Sequence, residues 1–408
     1  MRPTLPRLRP IEAFPVAVDG QRLICLRDPL EYAAGPVLVP EPTFFILTCL
    51  DGVQSTVDVQ AAFVERYGSM VTAAEIAELV ASLDRHHYLD SAGFHARRAE
   101  VDGAFRAAPV RPAAHAGSSY PDDGAALGRH LDAFFAGLPP PPPARGRLRG
   151  LIAPHIDLRV GGAAYGHAYR ALAGAGDAAR FVVLGTSHLG GGSLFAATRK
   201  DFATPLGHAA TDRPFLDRLA ARAPDDLYRD ELLHRIEHSI EFQVVMLQHV
   251  LGKRPFSVVP ILVTSFHECL RRGSSPGDDP RVAGMVAALA ATLAEDDVPT
   301  TLVAGVDFAH VGEKFGDAEG LAPALLDTAE TKDRRLIAAL EARDAEAFAA
   351  EVAADGDRTR ICGFAPMYTF LRLVDVPGRL LHYDRTRDDA TRSSVSYASL
   401  AFGLEDGA

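Results

Sequence analysis

Seven side chains in this sequence pair donor chemistry with a place at the end of an apolar run or the start of a helix. Leu151-Ile-Ala-Pro-His155 and Phe181-Val-Val-Leu-Gly-Thr-Ser-His188 each break off in a histidine. Thr301-Leu-Val-Ala-Gly-Val306 runs into Asp307-Phe-Ala-His310. His238 and Glu241 lie three apart in Glu237-His-Ser-Ile-Glu241, a spacing that puts them on one face of a helix. Cys362 stands in Arg360-Ile-Cys-Gly363, just ahead of a helical stretch, where a thiol tends toward thiolate. Two imidazoles with a thiolate or carboxylate suit iron, copper or zinc. Each residue also has a plainer role. Glu237 and Glu241 would complement a helix dipole, Cys362 would fill a small apolar space, and His310 would pair with Asp307. Several polar groups at strand ends together weigh toward a site.

A continuous apolar run bounded by turn residues suits a strand buried on both faces, as in a parallel sheet. The Ala-rich stretch Gly162 to Leu172 between the first two such runs is helix-compatible, so the order is strand, helix, strand. In such folds ligands gather at the carboxyl ends of the strands, where His155 and His188 stand. Further strands are expected at 256–263, 301–306, 379–383 and 394–402. Helices are expected at 122–138, 237–250, 281–294, 321–350 and 364–373. The predicted fold is α/β, with a central, mostly parallel sheet flanked by helices.

Residues 1–98 read as a separate unit. Gln21 to Leu26 suits a strand. Thr43 to Leu50 is apolar and stops at Asp51-Gly52, Thr56 to Gly68 opens on a capping residue, and a third helix starts at Thr72. With Tyr88 to Phe94 as a small β wing, this is a winged-helix pattern. Residues 99–114 have little periodicity and are expected to be a linker, leaving 115–408 as the main domain. Pro139 to Pro143 are expected to form a stiff surface loop. The net charge is −11, and residues 1–100 hold nine basic against thirteen acidic residues, the wrong sign for binding nucleic acid. Four scattered cysteines form no disulfide framework or zinc-ribbon spacing. The first fifteen residues have no apolar signal core, and no stretch approaches a membrane span. A cytoplasmic protein with no membrane partner is expected.

Residues 115–408 resemble the Memo family, also called AmmeMemoRadiSam system protein B. The motifs are His115-Ala-Gly-Ser-Ser-Tyr-Pro121, Ile152-Ala-Pro-His155, Leu184-Gly-Thr-Ser-His188, Thr204-Pro-Leu-Gly207, Glu237-His-Ser-Ile-Glu241, Val259-Pro-Ile-Leu-Val263, Asp307-Phe-Ala-His310, Ile361-Cys-Gly363 and Ser393-Ser-Val-Ser-Tyr-Ala398. The resemblance implies a fold akin to class III extradiol dioxygenases and a metal site on His155, His188 and Cys362. It places Asp307 and His310 in the same cleft, with His310 as general acid or base. His115, His238, Glu241, Ser394 and Tyr397 would line or support that cleft. It implies iron or copper, with zinc as the alternative, and redox activity. A non-catalytic peptide or phosphopeptide adaptor and a zinc hydrolase are the rival readings. Residues 1–98 resemble the PqqD-like winged-helix family, which implies a peptide, or a radical-enzyme or peptide-modification partner, beside a small-molecule or peptide substrate. Two departures stand out. Ser119 replaces the family's usual tryptophan, and Asp157 follows His155 by two, where it faces the metal cleft if the chain stays extended and otherwise sits in a turn or pairs with Arg159.

Overall fold

The computed structural model describes residues 3–139, 147–175 and 178–404. The proline run expected as a stiff loop lies mostly outside them. The chain divides between Ala107 and Ala108 into two compact units.

The first unit opens with an antiparallel sheet, β1 (Glu12–Val18), β2 (Gln21–Arg27) and β3 (Val37–Val39), in that order. Asp19-Gly20 makes the β1–β2 turn with both φ values positive, at 50° and 76°, as a tight Asp-Gly hairpin requires. Helices α1 (Glu41–Thr48), α2 (Thr56–Tyr67) and α3 (Ala73–Arg85) follow. Ser55 with Asp58 and Thr72 with Glu75 form the capping boxes that start α2 and α3.

Two expectations need correcting here. Tyr88 to Phe94 is not a β wing. The Tyr88 hydroxyl donates to the carbonyls of Leu26 and Gly35, Leu89 is buried, and α4 (Ala92–Ala107) begins at once. The apolar residues that imitate a strand are core contacts of a short turn. The stretch expected as a linker from residue 99 is helical as far as Ala107, with Asp102 and Phe105 buried and Tyr32 Oη donating to Asp102 at 2.8 Å. Its apolar residues are too sparse to show a helical period.

The second unit carries β4 (Val110–Arg111), α5 (Gly124–Asp132), β5 (Gly150–Ala153), α6 (Leu158–Ala175), β6 (Arg180–Thr186), β7 (Phe195–Ala197), β8 (Asp201–Thr204), β9 (Gly207–Thr211) and α7 (Arg213–Ala220). It continues with α8 (His238–Leu251), β10 (Ser257–Val263), α9 (His267–Arg272), α10 (Pro280–Leu293), β11 (Thr300–Gly305), β12 (His310–Gly312), α11 (Pro323–Ala342), α12 (Ala345–Ala353), α13 (Phe364–Leu371), β13 (Gly378–Arg385) and β14 (Ser393–Phe402).

The described strands of the second unit form one sheet in the order β12-β14-β5-β11-β6-β10-β9-β8-β4, with β13 on β14 and β7 on β10. Its centre, β5-β11-β6-β10, is parallel, and the antiparallel pairs β14–β5 and β8–β9 lie outside it. The α/β expectation therefore holds. Every residue of β6 is buried, as a two-sided cover demands. Val182 and Leu184 face one core with Met285, Phe348 and Phe364. Phe181 and Val183 face the other with Tyr165, Tyr169 and Phe242, the two-residue alternation of a strand.

Candidate metal centre

β11 lies between β5 and β6 in the sheet, so three parallel carboxyl ends are neighbours. β5 leads to His155, β6 to His188 and β11 to Asp307, each two residues beyond the strand. The first turn of α8 presses against these strands. A Cβ on Gly305 would stand 2.5 Å from the Ser239 carbonyl oxygen, and one on Gly185 would stand 2.6 Å from Ser239 Oγ. Only glycine permits that approach, and it sets His238 beside the two strand-end histidines.

The His155 ring centroid lies 4.8 Å from that of His188 and 5.2 Å from that of His238, and His188 stacks on His238 at 4.8 Å. One donor atom from each of the three falls within 4.8 Å of the others. Two of the rings are held at Nδ1 by hydrogen bonds. His155 Nδ1 donates to the Gly305 carbonyl at 3.0 Å. His188 Nδ1 donates to Glu237 Oε1 at 3.1 Å, and His238 Nδ1 stands 3.2 Å from that same oxygen. Carbonyls and carboxylates only accept, so in His155 and His188 the ring proton sits on Nδ1 and Nε2 keeps its lone pair. Imidazoles anchored this way are the arrangement that metal-binding histidines adopt, so these residues fit a metal ion.

Cys362 also reaches His155, with Sγ 3.3 Å from its Nε2. Asp307 Oδ1 accepts the backbone N–H groups of His155 and Ile156 at 3.0 and 3.2 Å, and Oδ2 lies 3.5 Å from His155 Nε2. Asp307 therefore fixes the His155 turn. His310 donates from Nδ1 to the Phe308 carbonyl at 3.0 Å, and its ring lies within electrostatic reach of Asp307 and His188.

Burial pulls these groups away from their ordinary protonation. Desolvation, with the neighbouring His188, pushes His155 down to about 3. Desolvation also drives His238 well down, against the pull of Glu237. His188 moves up, because Glu237 outweighs the burial that opposes its charge. Glu237 is held well below the usual carboxylate range, its burial overcome by His188 and His238. Desolvation lifts Asp307 to about 6 and lowers His310. Burial and then Asp307 push the Cys362 thiol well up. That corrects the expectation of a ready thiolate: Cys362 precedes the first residue of α13 by two, and desolvation dominates there.

Asp157 does not complete a metal triad. Its Oδ1 accepts the backbone N–H and the Nε–H of Arg159 at 2.9 and 2.8 Å, and its Oδ2 meets Arg159 Nη2 at 2.7 Å. The chain turns immediately after His155 into α6, so residues 155 and 157 no longer share one side of an extended strand. Glu241 is fully buried, and its oxygens are taken up by partners other than the His238 ring. It binds the Arg111 guanidinium, the Tyr120 hydroxyl, and the backbone N–H groups of Ala114 and His115. The His115 ring, donating to the Ile236 carbonyl at 2.9 Å, packs edge-on against His238. The Ser394 hydroxyl donates to the Thr386 carbonyl at 2.6 Å and pins two strand ends. Tyr397 is buried on β14, pushed up to about 12 by desolvation and the charges of Asp384 and Asp307. The sequence reading missed Glu237 as the clamp of two imidazoles. Its signal was a carboxylate directly before His238, explained there by the helix dipole alone.

A family profile described as Memo-like protein matches residues 111–401. The chain belongs to the Memo-like family. It is 30% identical to a MEMO1 family protein of Aquifex aeolicus over 397 residues, covering 96% of this chain and 99% of that protein. It is likewise 30% identical to a MEMO1 family protein of Thermus thermophilus over 84% of this chain and 97% of that one. A Caenorhabditis elegans protein, named a memo-1 homolog, is 28% identical over 71% of this chain and 81% of its own length. The family profile begins at Arg111, so the first unit lies outside it, yet the Aquifex relative matches across nearly the whole chain. Among the described residues, no helix is long and apolar enough to cross a membrane.

Proposed function

We propose that this chain is a metal-dependent redox enzyme of the cytoplasm, using iron or copper on His155, His188 and Cys362. His238 is a further imidazole donor at the same place. The observation that carries the reading is the cluster of three imidazoles, two of them anchored at Nδ1, with a thiol 3.3 Å from the His155 Nε2. Soft thiolate beside imidazole suits copper and iron, and a coordinated thiol loses its proton whatever its free pKa. A bound iron or copper would supply one-electron chemistry with O₂ or a small reductant.

The remaining steps fall to the protein. Glu237 holds His188 in one tautomer and one orientation and lies 3.2 Å from His238 Nδ1. Asp307 fixes the His155 turn through two backbone N–H groups. His310, with its proton at Nδ1, leaves Nε2 to take or return a substrate proton. A cavity of about 180 Å³ lined in part by His188, Cys362 and Phe364 offers room for a small substrate group. The resemblance of the first unit to PqqD-like domains supports a peptide as substrate or as neighbour, brought by a peptide-modification or radical-enzyme partner.

The test is O₂ uptake by the full chain loaded anaerobically with iron or copper and given ascorbate. His310→Gln should keep the metal and slow uptake by about 10²–10⁴-fold. A loaded wild type that consumes no O₂ with either metal overturns the redox reading. Ester or peptide hydrolysis that requires zinc would favour the hydrolase instead.

A further inference from the structure

The carboxyl end of β10 carries a second constellation that the metal centre does not use. Beyond Val263 the chain runs Thr264-Ser265-Phe266 into α9 at His267. Ser265 Oγ lies 2.6 Å from His267 Nδ1, and His267 Nε2 lies 2.7 Å from Asp357 Oδ2. The carboxylate can only accept, so Nε2 carries the ring proton and Nδ1 offers a lone pair to the Ser265 hydroxyl. The His267 backbone N–H donates to the same Oγ at 3.1 Å and fixes where it sits. Asp357 is buried, and its other oxygen accepts the Ile361 N–H at 2.9 Å. It stands at φ 58°, a left-handed conformation of the kind that clusters at functional sites.

Local structure explains part of this. A serine two residues before a histidine makes a small turn, and an imidazole–carboxylate pair ties the loop before Cys362 to α9. Three further observations exceed that explanation. The order is nucleophile, base and acid, each in direct hydrogen-bond contact. The nucleophile is exposed and the acid buried, with the histidine between. Ser265 and His267 both line the same cavity of about 180 Å³ that His188 and Cys362 reach from the metal centre, and its other walls include Val263, Phe266 and Phe364. That size and that apolar lining suit a short acyl chain.

We propose that Ser265, His267 and Asp357 form an acyl-transfer site for esters of short acyl chains. The Ser265 hydroxyl proton passes to His267 Nδ1 as Oγ bonds to the acyl carbon. The ester C–O bond then breaks, and the leaving alcohol takes the proton from Nδ1. Water, deprotonated by the same nitrogen, attacks the acyl-serine, and Ser265 regains its proton as the acid departs. No oxidant or metal takes part, so this chemistry does not rest on the redox reading, although both readings draw on the same cavity.

The experiment uses the full chain treated with chelator, p-nitrophenyl acetate and butyrate as substrates, and a fluorophosphonate probe mapped by mass spectrometry. Wild type is expected to hydrolyse both esters, and the probe to label Ser265. Ser265→Ala and His267→Gln should each lower the rate by at least about a hundredfold. Asp357→Asn preserves the acceptor for the Ile361 N–H and should lower kcat more than it raises KM. The proposal is overturned by a Ser265→Ala chain at the wild-type rate, by label on Cys362 instead, or by hydrolysis no faster than free imidazole gives.

Discussion

Glu237 and Glu241 sit one helical turn apart at the start of α8, both buried, both held below the usual carboxylate range. Their partners differ in kind. Glu241 gives its oxygens to a guanidinium, a phenol and two backbone N–H groups, all of which are fixed parts of the second unit. Burial opposes its charge, and Arg111 with the other donors more than offsets that. Glu237 accepts the backbone N–H groups of His188, His238 and Ser239. It also accepts from the His188 ring and lies 3.2 Å from that of His238, and both imidazoles can still offer a nitrogen to a ligand. The same residue type, at the same depth, is closed chemistry in one case and open chemistry in the other. Burial and a shifted pKa therefore mark both; what the partners can still do separates them.

Cutting the closed side should hurt the fold most. Glu241→Ala leaves the fully buried Arg111 guanidinium without its counter-charge, and about 3–5 kcal/mol of stability should be lost, read as a lower urea midpoint. Metal affinity should change only as far as the fold does. Glu237→Gln should do the reverse. It keeps an acceptor for the helix start but weakens the hold on His188 and His238, so metal affinity should fall about 10–100-fold with a nearly unchanged urea midpoint. Isothermal titration beside urea unfolding resolves the two patterns, and equal damage from both variants would erase the distinction.

Proton release separates the ligands further. His155 and His238 are driven down and stay neutral near neutral pH, whereas His188 is raised and is the first imidazole to take a proton as pH falls. Metal affinity should therefore weaken on acidification through His188, by about one proton and not three. The raised Cys362 thiol adds about one released proton even at pH 8 if it binds the metal. Cys362→Ser should abolish that release, measured by calorimetry in buffers of different ionisation heat. Asp157→Asn should do least. Its partner Arg159 is mostly exposed, so stability should move by no more than about 0.5 kcal/mol and metal affinity not at all.

Most of the second unit was legible because its strands are continuous apolar runs that end in polar residues. β5, β6, β10 and β11 fall where those runs stop, and His155, His188 and Asp307 follow. The small strands β7, β8 and β9 were not read, since three to five residues give no period to detect. In the first unit the helix starts at Thr56 and Thr72 were readable from capping-type residues, though the cap of α2 is Ser55 and not Thr56 itself, while Tyr88 and Leu89 imitated a strand because a turn can bury as much apolar surface. At the site, residue type gave the donors but not the orientation. Asp157 shows why: two positions after His155 is the same side only while the chain stays extended, and α6 begins at Leu158. The Glu237 clamp depends on a contact between α8 and the end of β6, which spacing along the chain does not reveal.

The most direct test of the metal centre is elemental analysis of the anaerobically purified full chain, with a redox-state spectrum, beside a His155→Ala, His188→Ala double variant. About one iron or copper per chain is expected in the wild type, and none in the double variant at an unchanged far-ultraviolet spectrum. A wild type that retains no transition metal even after reconstitution, or a folded double variant that retains it fully, would contradict the assignment of His155 and His188 as ligands.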